Sequence, residues 1–195
     1  MGNIEIINRE KTELRKKIKL ALKENASKMQ TESEIICRKI LASDEYKTSD
    51  VILSYMPLPQ ETDIFQVTKQ ALADGKKVFI PRVYPNEKSP VIKFHEFSTQ
   101  LINENGNYGI KEPSESAMEF SFASKCRKIL ILVPGVAFTK TGKRLGHGKA
   151  YYDCFLSKLP SDKKIIKAGV CFSFQITEDI PSEKHDILMD LIFSI

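Results

Sequence analysis

Between an unbroken aliphatic run, Ile129–Val133, and an aromatic stretch opening at Tyr151, the chain reads Pro134-Gly-Val-Ala-Phe-Thr-Lys-Thr-Gly-Lys-Arg-Leu-Gly-His-Gly-Lys-Ala-Tyr-Tyr-Asp153. Gly142, Gly146 and Gly148 let backbone N–H groups come close to an anion. Lys140, Lys143, Arg144 and Lys149 supply counter-charge, and an arginine fork can hold two phosphate oxygens at once. A helix beginning near Tyr151 adds the partial positive charge of its N-terminus. These residues describe a cradle for the phosphates of ATP from Gly142 to Asp153, used to activate a small substrate. The loop departs from both common phosphate motifs. Gly148-Lys149 is followed by Ala150, where a P-loop carries Ser or Thr for magnesium, and a dinucleotide fingerprint would need Gly or Ala at Tyr151. A solvated surface loop is the plainer alternative. The position after the strongest buried strand and before an aromatic helix favours chemistry.

Other residues divide between chemistry and architecture. Lys11 and Arg15 lie four apart at the edge of the apolar stripe Leu14, Ile18, Ala21 and Leu22, whereas Lys16, Lys19 and Lys23 point further from it. Taken alone, Lys11 and Arg15 read as snorkelling cations. Asp153, in the first turn of its helix, is either a favourable dipole contact or a magnesium ligand beside a phosphate. Asp190 reads as a strand-end acid and Glu61 as a loop acid. Tyr152 belongs to an apolar helix face, while Tyr151 is freer to stack on a ring. His95 falls on a strand face and His185 in a turn, and neither is assigned chemistry. Cys37, Cys126, Cys154 and Cys171 form no Cys-x-x-Cys pair. That argues against zinc and for packing roles.

The elements that must position these groups follow from periodicity. Helices are expected over Glu10–Asn25, from a capping box at Thr31-Glu32-Ser33-Glu34 to about Leu41, over Ile64–Ala73, and over Tyr151–Leu159 with Tyr152, Phe155, Leu156 and Leu159 on one face. Strands are expected at Val51–Tyr55, Lys77–Ile80, Val91–Phe97, Ile129–Val133, Ile165–Phe172 and Leu191–Ile195. The alternation predicts an α/β fold, an open and mostly parallel sheet with helices on both faces. Val91–Phe97 has no convincing helix before it, which points to a mixed sheet. Ser98–Lys128 reads as loops with a short element. Ligands of such sheets bind beyond the carboxyl ends of the strands, where the loops Met56–Glu61, Pro81–Pro85 and Pro134–Lys149 converge.

A length of 195 residues suits one domain, 1–195. The net charge of +5 is mild, which suits an anionic small ligand better than nucleic acid. No apolar run approaches the roughly 20 residues of a membrane span. No secretory leader is visible in Met1–Lys11, and Ile6 stands where myristoylation wants Ser or Thr. A reduced, cytoplasmic monomer is the expectation, with neither membrane nor nucleic-acid partner.

Arg144-Leu-Gly-His-Gly-Lys-Ala-Tyr-Tyr-Asp153 resembles the signature of the 5-formyltetrahydrofolate cyclo-ligase family, also called 5,10-methenyltetrahydrofolate synthetases. Pro134-Gly-Val-Ala-Phe138 leads into it as in that family. Lys11-Thr-Glu-Leu-Arg15, the loop ending in Glu61, Phe79-Ile-Pro-Arg82, Tyr108-Gly-Ile-Lys-Glu-Pro113 and the tail from Gly169 through His185 to Asp190 agree in order. The resemblance implies a fold similar to that of sugar-phosphate isomerases and CoA transferases. It implies ATP-dependent closure of 5-formyltetrahydrofolate to 5,10-methenyltetrahydrofolate, releasing ADP and phosphate. ATP would be bound by Lys11, Arg15, Arg144, Leu145, Gly146, His147, Gly148, Lys149, Ala150, Tyr151 and Tyr152. The folate would meet Arg15, Met56, Glu61, His147, Gly148, Lys149, Ala150 and Tyr151. Arg144 and Lys149 would be catalytic, and Asp153 and Asp190 would hold Mg²⁺. His147 stands where the family often has arginine, and Ala150 where glycine is usual. A neutral imidazole carries less charge to a phosphate and makes that contact pH-dependent. Two alternatives stay open: an isomerase or CoA-transferase chemistry with a carboxylate base, and a nucleic-acid binder with salt-dependent affinity.

Overall fold

In chain order the computed structural model forms α1 (Asn3–Glu24), α2 (Met29–Ala42), α3 (Asp44–Lys47), β1 (Val51–Leu53), α4 (Phe65–Ala73), β2 (Lys77–Tyr84), β3 (Val91–Glu96), β4 (Ile102–Asn103) and β5 (Glu112–Pro113). There follow β6 (Lys128–Pro134), β7 (Ala137–Phe138), β8 (Arg144–Leu145), α5 (Tyr151–Leu156), β9 (Lys164–Val170) and β10 (Leu191–Phe193). The structure describes residues 3–85, 90–98, 102–103, 112–123, 128–183 and 186–195. Six strands make one sheet in the order β10-β9-β6-β1-β2-β3. All neighbours are parallel except β2 and β3, so the sheet is mixed at one edge.

Alternation along the central strands assigns the two faces. Ile52, Leu130 and Leu132 face Ile36 and Ile40 of α2 and Val67 and Ala71 of α4. Val51, Leu53, Ile129, Ile131 and Val133 face Leu156 and Phe155 of α5, with Phe138 and Met189. Helices therefore cover both faces, as a strand with aliphatic residues at every position requires. A third cluster packs Leu14, Ile18 and Leu22 of α1 on Val136, Ala137, Leu145 and Ile180. Burying a side chain such as Ile18 is worth about 1.5–3 kcal/mol. That energy clamps α1 over the β7–β8 hairpin that carries Arg144.

Several sequence-based boundaries move, each for a local reason. The first helix starts at Asn3 rather than Glu10. The second begins at Met29, two residues before the expected capping box, and Lys28 at its cap gives no side-chain bond. Glu32 lies inside that helix, where its carboxylate accepts from the backbone and hydroxyl of Ser173, both at 2.8 Å. The first strand stops at Leu53, because Tyr55 turns inward to donate its hydroxyl to the carbonyl of Thr62 at 2.9 Å. Pro81–Tyr84 is strand rather than loop. It lies past the end of β1 and pairs only with β3, so the missing proline N–H removes no bond to β1. The last helix ends at Leu156, although Leu159 still packs on the same cluster. His95 is buried between β3 and the following segment, its Nδ1 2.9 Å from the Ala117 carbonyl and its Nε2 3.1 Å from the Tyr84 hydroxyl. Cys126, His185 and Tyr108–Lys111 lie outside the described residues.

Candidate active site

Beyond the carboxyl end of β6 the chain makes the β7–β8 hairpin, with Gly142 at its tip. Gly142 has φ +93°, and a methyl group there would clash with the carbonyl oxygen of Met189. In return the Met189 N–H donates to the Gly142 carbonyl at 2.8 Å, which pins the tip to the segment before β10. The chain then passes Arg144 and the glycines to Ala150. That residue caps α5 with φ 56° and ψ 10°, a left-handed conformation that glycine adopts without strain. The steric reason for the usual glycine at this position is thus the backbone angle.

Arg144 is an interior residue. Its side chain is 5% exposed, Nη1 donates to the Pro134 carbonyl at 3.1 Å, and Nη2 meets Asp153 Oδ1 at 2.7 Å. The guanidinium lies over the Tyr152 ring at 5.7 Å, and its Nε is buried without a hydrogen-bond partner among the described residues. Arg15 reaches in from α1, donating its Nε to the Gly146 carbonyl at 2.9 Å and lying against Gly148. Burial lowers the Arg15 pKa from its ordinary value. Lys149 is exposed and has no ion-pair or hydrogen-bond partner among the described residues.

The loop after β1 closes on the same place. Glu61 is buried; its Oε2 accepts from the Leu58 backbone at 2.9 Å, and its Oε1 accepts from His147 Nε2 at 3.2 Å. A carboxylate can only accept, so the imidazole proton of this pair sits on Nε2. His147, expected on a phosphate, thus also ties two loops together. The Tyr152 hydroxyl is buried without a partner among the described residues. Burial, with nearby Glu61, raises its pKa well above the usual tyrosine value while Arg144 opposes the shift. It remains a neutral donor.

These side chains line a cavity of about 380 Å³. Its walls include Met56, Glu61, Arg144, Gly146, His147, Lys149, Ala150, Tyr151, Tyr152 and Asp153, so the sequence-derived residues of two loops and one helix meet in one place. Sequence reasoning missed Tyr55, Val83, Ile92 and Glu112, which complete it. Glu112, 3% exposed, accepts from the Val83 backbone at 3.2 Å. Its family-like segment and the Pro81–Tyr84 strand were the available signals.

Five expected residues stand outside this lining: Arg15 and Gly148 lie against each other beside it, Leu145 is buried under α1, and Lys11 and Asp190 are held elsewhere. Lys11 is held by Glu183 at 3.3 Å and Asp186 at 3.0 Å. Asp190, before β10, accepts from the Lys167 backbone at 2.7 Å and pairs with its ammonium at 3.0 Å. Asp153 has one oxygen on Arg144, and its Oδ2 has no hydrogen-bond partner among the described residues. Among those residues no three His, Cys, Asp or Glu side chains are grouped to hold a metal. Asp153 therefore fits one position of a metal completed by phosphate oxygens and water, whereas Asp190 fits only on exchange with Lys167.

A cationic glycine loop beside an apolar, acid-bearing pocket, at the strand ends of an α/β sheet, defines an enzyme that brings a phosphate donor to a small ring-bearing substrate. The chain belongs to the 5-formyltetrahydrofolate cyclo-ligase family, whose model matches residues 7–194. It is 32% identical over 180 residues to the 5-formyltetrahydrofolate cyclo-ligase of Saccharomyces cerevisiae, covering 83% of each chain. It is 26% identical over 188 residues to that of Mus musculus, covering 94% of this chain and 93% of the other. The solved structure of Aquifex aeolicus 5,10-methenyltetrahydrofolate synthetase superposes with a TM-score of 0.75 at 29% identity, over 94% of this chain and 89% of that one. Among the described residues no helix is long and apolar enough to cross a membrane.

Proposed function

We propose that this chain converts 5-formyltetrahydrofolate and ATP to 5,10-methenyltetrahydrofolate, ADP and phosphate. One observation carries the reading: an unpartnered lysine, Lys149, lines the same cavity as the apolar wall of Met56 and Tyr151 and the acid Glu61. The N5-formyl group is an amide, weakly electrophilic at carbon and with an oxygen that leaves poorly. Transfer of the γ-phosphoryl group to that oxygen forms one P–O bond, breaks another and releases ADP. N10 then attacks the activated carbon, the five-membered ring closes, phosphate departs with the oxygen, and the N10 proton is released. Such steps need alignment and charge stabilisation rather than a protein nucleophile.

Each residue takes a role that its surroundings support. Lys149 meets the transferring phosphoryl oxygens. Arg144 adds positive charge from behind it and fixes Asp153 through their ion pair. Arg15 holds the Gly146–Gly148 backbone open towards the phosphates. Glu61, kept in place by Leu58 and His147, offers an acceptor to the pterin edge. Asp153 would hold Mg²⁺, with Asp190 joining if Lys167 released it, and the bound metal would neutralise phosphate charge. Lys11, Leu145 and Ala150 complete the nucleotide side, and the unit acts as a cytoplasmic monomer.

The methenyl product absorbs in the near ultraviolet and the substrate does not. Purified protein should generate that absorbance only when ATP, Mg²⁺ and 5-formyltetrahydrofolate are all present, with one ADP per product. ADP formation indifferent to the folate, or no absorbance change at high enzyme concentration, would sink the assignment.

A further inference from the structure

Where β2 runs past the end of β1, the segment Phe79-Ile-Pro-Arg82 meets β5. Arg82 clamps the two together: Nη1 donates to the Pro113 carbonyl at 2.8 Å, and Nη2 pairs with Glu115 at 2.8 Å. Beside this clamp the Val83 N–H donates to Glu112 Oε1 at 3.2 Å. Glu112, so seated, lines the cavity with Pro81, Val83 and Ile92 and is 3% exposed. Covering a strand-edge N–H needs an acceptor oxygen but no charge, and an amide would serve as well. A carboxylate held in an apolar wall carries a desolvation cost that a cap alone does not explain.

The other charges of the cavity are accounted for. Arg144 and Asp153 pair at 2.7 Å, Glu61 accepts from His147, and Lys149 stands on the glycine loop. Lys149 attracts phosphate, whereas Glu112 on the β2 wall repels it and any carboxylate. The group that meets Glu112 is therefore an uncharged one rich in N–H donors. A tetrahydropterin has such an edge, because its 2-amino group and N3–H are adjacent and point the same way. An ionised carboxylate has about four acceptor positions, of which Val83 takes one. We propose that Glu112 is a specificity-determining residue that accepts from the pterin N3–H and 2-amino group. Held there, the ring turns its other end, with N5 and N10, towards the glycine loop. This rests on the cyclisation reading of the cavity and adds to it a residue that orients the substrate.

Calorimetric titration in the absence of ATP tests this directly. The ligands are 5-formyltetrahydrofolate and its 2-desamino-2-methyl analogue, which lacks one of the two donors. The proteins are the parent chain, Glu112→Gln, and Glu119→Gln, an acid that pairs with Lys93 outside the cavity. The parent should prefer the natural ligand by about 10- to 100-fold, the scale of a hydrogen bond to a buried charge. Glu112→Gln should lose at least about tenfold for the natural ligand and bind the two within about threefold of each other. Its amide oxygen still accepts from Val83, so its Tm should stay within about 2 °C of the parent. In turnover its KM for the folate should rise while the KM for ATP stays within about twofold. Glu119→Gln should match the parent. The proposal is overturned if the parent binds both ligands alike, a result that no variant's folding can disturb. It is also overturned if Glu112→Gln discriminates as the parent does, or melts several degrees lower and weakens both ligands equally, which is a structural role. A rise in the ATP KM alone, or the same loss in Glu119→Gln, overturns it too. Methenyl formation by a parent that does not discriminate would refute this assignment only, whereas no methenyl formation by the parent would refute the cyclisation reading.

Discussion

Lys149→Ala separates the chemistry of the glycine loop from its architecture. Lys149 is exposed and touches no described partner, so its removal leaves no buried charge or orphaned acceptor. Its cost to folding should stay within about 0.5 kcal/mol, or about 1–2 °C in Tm for a chain of this size. In the transition state its ammonium would make a charge-assisted hydrogen bond to phosphoryl oxygen, worth about 1.5–3 kcal/mol. Removing it should lower kcat/KM for ATP by about 10- to 150-fold. Arg144→Ala is the contrasting case. It strips Asp153 and the Pro134 carbonyl of a donor inside the protein, so it should lose about 1–3 kcal/mol of stability along with activity. The assay is methenyl absorbance against ATP concentration, paired with thermal melts of the same preparations. A Lys149→Ala enzyme within threefold of the parent, or one that melts several degrees lower, would refute the reasoning.

Further expectations follow from individual contacts. Asp153→Asn should raise the magnesium concentration for half-maximal activity while the melt stays within a few degrees; a normal magnesium titration would remove Asp153 from the metal site. Ala150→Gly relieves a left-handed alanine at the cap of α5, which costs about 1–2 kcal/mol, against about 0.5–1 kcal/mol of added glycine entropy. Urea unfolding should show a gain of about 0.5–1 kcal/mol, and a loss would mean that the methyl group packs usefully. Burial pushes the Cys171 thiol up to about 12 and Cys37 to about 11. Above pH 9 the unfolded thiols ionise and the folded ones stay protonated, so stability should fall as pH rises from there. Thiol reagents at pH 8 should modify Cys37 and Cys171 only on unfolding, and rapid labelling of either in the native enzyme would contradict their burial.

The parts of the fold legible in the sequence were those where one pattern decides the outcome. Five aliphatic residues at Ile129–Val133 have no stable place except a strand covered on both faces. The absence of a helix before Val91 correctly pointed to a mixed sheet, and β3 is its antiparallel edge strand. The capping pattern at Thr31 misled because the helix already starts at Met29, so Thr31 lies inside it and Glu34 accepts from the Gln30 side chain instead of a cap. At the site, glycine and charge marked the loop but not which cation faces the ligand. Arg144 and Lys149 look equivalent in sequence, and only the fold brings Pro134 and Asp153 around the first while leaving the second free.

The overhang of β2 past β1 has a mechanical consequence. Pro81–Tyr84 is laddered to Val91–Phe94, and Pro81, Val83 and Ile92 form one side of the first cavity. That side is a fixed jaw, since moving it would break a register of sheet hydrogen bonds. The opposing jaw is built of loops, Met56–Glu61 and Gly146–Ala150, joined to each other by the Glu61–His147 bond and to α1 by Arg15. Phosphoryl transfer has to keep water out. A closure that excluded water would have to come from the loop jaw, whose two halves the bond between Glu61 and His147 joins.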